Sequence, residues 1–266
     1  MINLLSRRGI LAVFLLAGVS ANTLAETYSF IVQPFLPSAE TKKVYAPMAK
    51  YLSAATGHTI QLKTSPNFLA YWQTMKKGEY DLLLDAAHLT DYRAAKMDYK
   101  VLAKVLDVVS LSLVTGEDVF IFEPAELVGK RIASLASPSR GAVVLDEFFP
   151  NPIRQPIVVE VTNAQEAVQK VLDKKASGAI IPSPLVGGFP QLNLVKTTDQ
   201  WPHVALSASS KVPADVAKKI QDAMVNASTT PEGQKMLEDI NIPGFELADA
   251  KRYKGFSDSL KGVWGY

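Results

Sequence analysis

The stretch "YDLLLDAAHLTDYRAAK" (residues 80–96) changes character halfway along. Tyr80 to Leu84 is an apolar run suited to a buried strand, and the positions that follow carry Asp85, His88, Asp91, Tyr92 and Arg93. A core strand that empties into groups able to bind something fits an open α/β sheet, where ligands sit beyond the carboxyl ends of the strands.

The neighbouring segments repeat that order. "TYSFIV" (27–32) reads as a strand, and a helical pattern follows from about 40 to 55, with Val44, Met48, Tyr51, Leu52 and Ala55 on one side. Pro47 inside it predicts a kink or a late start, and Gly57 a stop. "TIQLKTS" (59–65) alternates as a strand does, "NFLAYWQTMKKG" (67–78) is helical, and a further helix covers about 86–96. A second unit has strands at 130–136, 156–162 and 178–182, a short helix running to Phe148, and a helix capped by Asn163 that extends to Ala176. Helical segments at about 213–228, 231–240 and 248–261 complete the chain. Strands linked by helices predict, in each unit, a mainly parallel sheet flanked by helices, the two units being joined through "VVSLSLVT" (108–115).

The first 25 residues stand apart. Arg7 and Arg8 precede an apolar stretch from Ile10 to about Val19, and Thr23-Leu24-Ala25 supplies small residues for cleavage. The apolar run is shorter than the ~18–20 residues needed to span a bilayer, so we read 1–25 as an export signal cleaved near Ala25. The arginine pair leaves both the general and the twin-arginine routes open. Losing two arginines and no acid leaves 26 basic against 26 acidic residues in the mature chain. Such a balance argues against a general nucleic-acid or anionic-membrane binder. The absence of cysteine excludes disulfides, thiolate metal sites, a cysteine nucleophile and a lipid-anchored cysteine. An exported, unanchored chain points to the periplasm.

"VYAPMAKYLSAATG", then "YDLLL" with its polar turn, then "LVGKRIASLASPSRGA" resemble the phosphonate- and phosphate-type periplasmic solute-binding proteins of ABC importers, within the type II periplasmic binding proteins. The likeness extends from about Ser29 to Leu237. It implies two lobes joined by two crossovers, 26–110 with 204–266 as the first and 111–203 as the second. It also implies a ligand held against helix N-termini, with Ser137, Ser139 and Gly141 at the principal turn. This chain departs from the family where many members have a Gly-Pro turn after the acidic strand: its sequence at that point is "DAAHL", and His88 stands where an aromatic is often found.

Arg140 in "ASPSRGA" is placed to grip an oxyanion beside the serine hydroxyls and the helix N-terminus. Asp85 is either a helix cap or a ligand contact. His88 and Tyr92, four apart, share a helix face, whereas Arg93 is assigned to the surface or a salt bridge. Phe35, Asn67, Phe68, Tyr71 and Ser183 follow strand ends and complete the expected site, Tyr71 and Trp72 being divided between packing and the cleft. The resemblance implies a receptor that captures a small oxyanion or phosphonate-like solute and passes it to an ABC permease, as a monomer and without a cofactor. Alternatives are a ligand-sensing partner of a membrane kinase and a receptor for a metal or metal complex. An enzyme is disfavoured: no nucleophile elbow, Walker A, His-Glu-x-x-His or dinucleotide glycine pattern is present.

Overall fold

The computed structural model describes residues 25–263 and Tyr266, so the export segment, apart from Ala25, lies outside the described residues. The chain opens with β1 (Thr27–Val32), α1 (Ser38–Thr56), β2 (Thr59–Lys63), α2 (Phe68–Lys76), β3 (Leu82–Asp85), α3 (Ala87–Lys96) and β4 (Tyr99–Val105). A two-residue strand, β5 (Val108–Val109), leads out of this lobe. The second lobe holds β6 (Leu111–Gly116), β7 (Arg131–Leu135), α4 (Arg140–Phe148), β8 (Ile157–Val161), α5 (Ala164–Leu172), β9 (Gly178–Pro182), α6 (Ser183–Val186) and β10 (Leu192–Thr197). The chain returns through β11 (Trp201–Pro202) to β12 (Ala205–Ser209), α7 (Ala214–Val225), α8 (Pro231–Asp239) and β13 (Phe245–Leu247).

Two sheets result, ordered β13-β4-β12-β3-β1-β2 and β10-β6-β9-β7-β8. Strand periodicity explains how the first is covered. Phe30, Val32, Leu82 and Leu84 join a core with α1, α7 and α8, while the alternating Ile31 and Leu83 meet Tyr71, Trp72 and Leu89 on the opposite face. All four β3 residues are buried, and its three leucines, covered on both faces, read as a short apolar run that ends at Asp85.

The expectation of mainly parallel sheets holds for β2-β1-β3 and for β8-β7-β9. β12 pairs antiparallel with β3 and β4, β13 with β4, and β6 with β9 and β10, so both sheets are mixed. Strands β4, β10, β12 and β13 escaped the sequence reading because their patterns are broken by polar residues that the fold buries or pairs. Lys104, for example, is buried in β4 and its ammonium is held by the carbonyls of Val105 and Asp107. Helix α1 does not start late: it runs through Pro47 and ends at Gly57 as expected, and the carbonyl one turn before Pro47 belongs to the exposed Lys43 and can be hydrated. Helix α5 ends at Leu172, short of Ala176, and the expected 248–261 helix is two 3-10 segments, Ala250–Tyr253 and Phe256–Leu260.

The crossovers β5 and β11 pair antiparallel with each other, Trp201 opposite Val109. Beside them an apolar cluster runs from Ala87, Val101 and Ala205 of one lobe to Leu111, Ile132 and Ile180 of the other, with Trp201 and Tyr253 between. This seam fixes how the strand ends of the two sheets face each other.

Helix α8 is seated by a close approach. A Cβ on Gly233 would stand 2.2 Å from the carbonyl oxygen of Ala227, so only glycine fits. Gly233→Ala is expected to cost about 1–3 kcal/mol, read as a lower urea midpoint at unchanged m-value. An unchanged midpoint would show that α8 sits more loosely than described.

Candidate functional site

A cavity of about 410 Å³ lies between the lobes. Its walls come from carboxyl ends of strands: Gln33 after β1, Ala86 after β3, Leu135 of β7, Val161 of β8 and Pro182 of β9. The crossovers add Val109 and Trp201 to Val204, and the end of α8 adds Ile240 to Ile242.

Two helix N-termini open onto this space. Ser139 caps α4: its Oγ accepts from the Ala142 N–H at 3.2 Å, and its carbonyl accepts from the Val143 N–H. Asn163 caps α5, its Oδ1 taking the Glu166 N–H at 2.8 Å and its carbonyl the Ala167 N–H. Those bonds leave the first two N–H groups of each helix, at Arg140 and Gly141 and at Ala164 and Gln165, without an intrahelical acceptor. These four residues line the cavity. Gly141 lets the start of α4 pack closely on β7, since a Cβ there would come within 2.8 Å of the buried Ser134 Oγ.

Arg140 lies over the Trp201 ring, 4.3 Å from its centroid, and bonds Glu147 at 2.9 Å. Burial holds its pKa below the ordinary arginine value, with Glu147 opposing the shift. Its Nε is buried and unpartnered. Burial likewise drops His203 to about 4, so the ring is neutral; its Nδ1 accepts from the Val204 N–H at 2.8 Å, which leaves the proton on Nε2.

The expected site residues divide. Phe35, Phe68, Arg140 and Gly141 line the cavity; Asn67, Tyr71, Asp85, His88, Tyr92, Ser137, Ser139 and Ser183 do not. Asp85 is fully buried and does not cap α3, whose N-cap is Ala86. Its oxygens collect Tyr71 Oη, Thr90 Oγ1 and both terminal nitrogens of Arg93. Arg93, assigned to the surface or a salt bridge, makes that bridge in the core. Tyr71 and Trp72 resolve to packing, both buried without exposure. Tyr92, one turn beyond His88 and rotated about 40° from it, packs on Trp72 and Tyr266. Asn67 is exposed and caps α2 through Ala70. Ser137 is exposed, Ser139 is consumed by its cap and by Leu135, and Ser183 bonds Ser110 and Ser112 at 2.9 Å. Among the described residues no group of three or more His, Asp or Glu could hold a metal ion.

His88 has a role the sequence did not show. It is buried, and Nε2 lies 2.9 Å from the Pro138 carbonyl, joining α3 of the first lobe to the turn before α4 of the second. A carbonyl only accepts, so the proton is on Nε2 and the buried Nδ1 is left without a partner. The reading also missed Asn163 and Gln165, although Asn163 follows a strand end as Ser137 does. Trp201, His203 and Ile240 to Ile242 are distant in the chain and carried no local signal.

Two lobes, two short crossovers and a cavity at opposed strand ends define a solute-binding protein of the two-lobed type. The family model for the ABC transporter, phosphonate, periplasmic substrate-binding protein matches residues 30–253, and the chain belongs to that family. It is thus the solute-binding receptor of an importer, with a small-molecule ligand, a permease partner and a periplasmic location. Similar solved structures include PhnD1 from Prochlorococcus marinus in complex with methylphosphonate (TM-score 0.76, 12% identity, covering 88% of this chain and 97% of that one). A Xanthomonas citri protein bound to ATP gives TM-score 0.74 at 11% identity, covering 88% and 96%. A binding protein component of an ABC phosphonate transporter from Pseudomonas aeruginosa gives 0.73 at 14%, covering 86% and 83%. No curated protein matches the chain by sequence.

Removing one member of the buried ion pair strands the other, so Asp85→Ala is expected to cost about 3–5 kcal/mol in urea unfolding. A loss below 1 kcal/mol would mean that Arg93 reaches water.

Burial, with Arg140 and Arg93 nearby, lowers His88 to about 4, against the Pro138 carbonyl and Asp85, which raise it. A depressed folded-state value means that the unfolded chain takes up the proton first. Stability is therefore whole above about pH 6.5 and falls as the pH drops towards 4. His88→Gln, which can still donate to Pro138, is expected to flatten part of that fall in Tm against pH; His203, lowered over the same window, contributes as well, and Glu166 and Glu246 add to the loss at its acid end. An unaltered profile would remove His88 from the acid response.

Proposed function

We propose that the receptor takes a small oxyanion or phosphonate-like solute in the interlobe cavity. The observation that carries this is the convergence of two helix N-termini on one space. The N–H groups of Arg140, Gly141, Ala164 and Gln165, each without an intrahelical acceptor, meet there with the Arg140 side chain. A helix N-terminus carries about half a positive charge, and in a water-poor cleft two of them with a guanidinium favour an anion without a surrounding basic field. The Trp201 ring supports Arg140 from one side and limits where its donors point. Residues 26–110 with 204–266, and 111–203, are the lobes that we assign to closing on the solute, after removal of an export signal near Ala25. The solute is bound and released unchanged, and the receptor works as a monomer.

The test is a thermal-shift screen of the mature chain with phosphate, phosphonates, sulfate and carboxylates. A bound oxyanion at 100 times its Kd adds about 2.7 kcal/mol. Arg140→Gln is expected to weaken it roughly 10- to 100-fold. Failure of every oxyanion, with an uncharged solute binding instead, would overturn the reading.

A further inference from the structure

The cavity is far more apolar than a small oxyanion requires. Among the described residues that line it, only Arg140 carries a formal charge and none is a carboxylate. Phe35, Phe68 and Ile242 of the first lobe and Ile180 and Leu185 of the second line one common space. Glu147, the acid paired with Arg140, lines an adjoining hollow that Arg140 and Trp201 also border, and not the cavity itself. A cavity of about 410 Å³ falls within the ~300–1,000 Å³ of sites that enclose drug-sized ligands. A single methyl group on phosphorus would leave most of this wall facing trapped water.

We propose that the solute is an organic phosphonate or phosphate monoester with a bulky apolar substituent, aromatic or branched, and no cationic group. The inference rests on the anion reading above and assigns the rest of the same site. The anionic head takes the α4 and α5 N-termini and Arg140, and the apolar body fills the space between the phenylalanines and the aliphatic wall. Burying that body removes apolar surface from water on both ligand and wall, which favours binding in proportion to the area covered. An ammonium group would lose its hydration beside Arg140 with no acid to replace it, so aminoalkyl phosphonates are rejected.

Isothermal titration of the mature chain with methylphosphonate, phenylphosphonate, 2-aminoethylphosphonate and benzyl alcohol separates the parts of this claim. Phenylphosphonate is expected to bind on the order of 100-fold tighter than methylphosphonate, and 2-aminoethylphosphonate more weakly than either. Leu185→Ala and Phe35→Ala, both at partly buried positions, are each expected to weaken phenylphosphonate by about 10-fold and to leave methylphosphonate within about 2-fold. Equal or tighter binding of methylphosphonate overturns the apolar body and leaves the anion receptor standing. Binding of 2-aminoethylphosphonate as tight as that of phenylphosphonate overturns the exclusion of cations. Binding of benzyl alcohol with none of the phosphonates overturns the anion receptor and, with it, any phosphonate or phosphate monoester as the solute.

Discussion

The buried pairing of Asp85 with Arg93 is the interaction on which the cleft is built. Two ions taken out of water cost several kcal/mol each, offset here by close pairing and added hydrogen bonds, with only the buried Arg93 Nε left without a partner. Asp85 receives four donors, from Tyr71 on α2, Thr90 on α3 and both terminal nitrogens of Arg93, while Arg93 also reaches Ser207 on β12 at 3.3 Å. The network thus ties α2, β3, α3 and β12 at one point. It sets the rotation of α3, and that rotation puts His88 against Pro138 and Tyr92 against Trp72. The charged half of residues 80–96 therefore serves the architecture. The helix N-termini and the guanidinium proposed to hold the anion sit on the opposite lobe.

That division follows from the energetics of burial. Asp85 is paired on both oxygens, and Ser139 Oγ donates to Leu135 while accepting from Ala142, so both are spent on the fold; Ser183 accepts from Ser110 and Ser112 and does not line the cavity. What remains at the cavity is backbone N–H at two helix starts, the Arg140 guanidinium, which is bonded to Glu147 but keeps an unpartnered Nε, and a neutral histidine whose tautomer is set by Val204. Most of the remaining wall is apolar. A cleft of this kind recognises charge by oriented donors and shape by contact.

Much of the fold was legible because its first strands and helices are strongly periodic. Residues 27–96 and 130–182 announce alternating strands and helices, and the three family motifs lie within or beside them. The antiparallel additions were not legible. β12, "ALSAS", has small polar residues that are buried only because β3 and β4 flank it, and β13 is three residues long. In the site, Arg140, Gly141, Phe35 and Phe68 were legible from their place after strand ends. Asp85 and His88 were read towards the ligand because local sequence shows chemistry without direction. Whether a carboxylate meets a guest or a buried guanidinium is decided by Arg93, eight residues on, and by β12, more than a hundred residues away.

The cavity wall is assembled from segments near 33–36, 135–141, 161–165, 201–204 and 240–242, and no single lobe encloses it. Only two crossovers of two residues each connect the sheets where they pair, so few backbone bonds resist a change of angle there. Opening exchanges the His88–Pro138 hydrogen bond for bonds to water, a net difference of about 1 kcal/mol. It also exposes whatever part of the apolar wall the two lobes cover in common. A bound solute adds its own contacts to the balance between open and closed forms. A solute shifts that balance only by what it gains in the closed form over the open one. Contacts to one lobe persist on opening, whereas contacts that need both are lost. An anion bonded at α4 and α5 touches the second lobe alone. A body that also reaches Phe35, Phe68 and Ile242 spans both, and that part of the ligand supplies the free energy of closure.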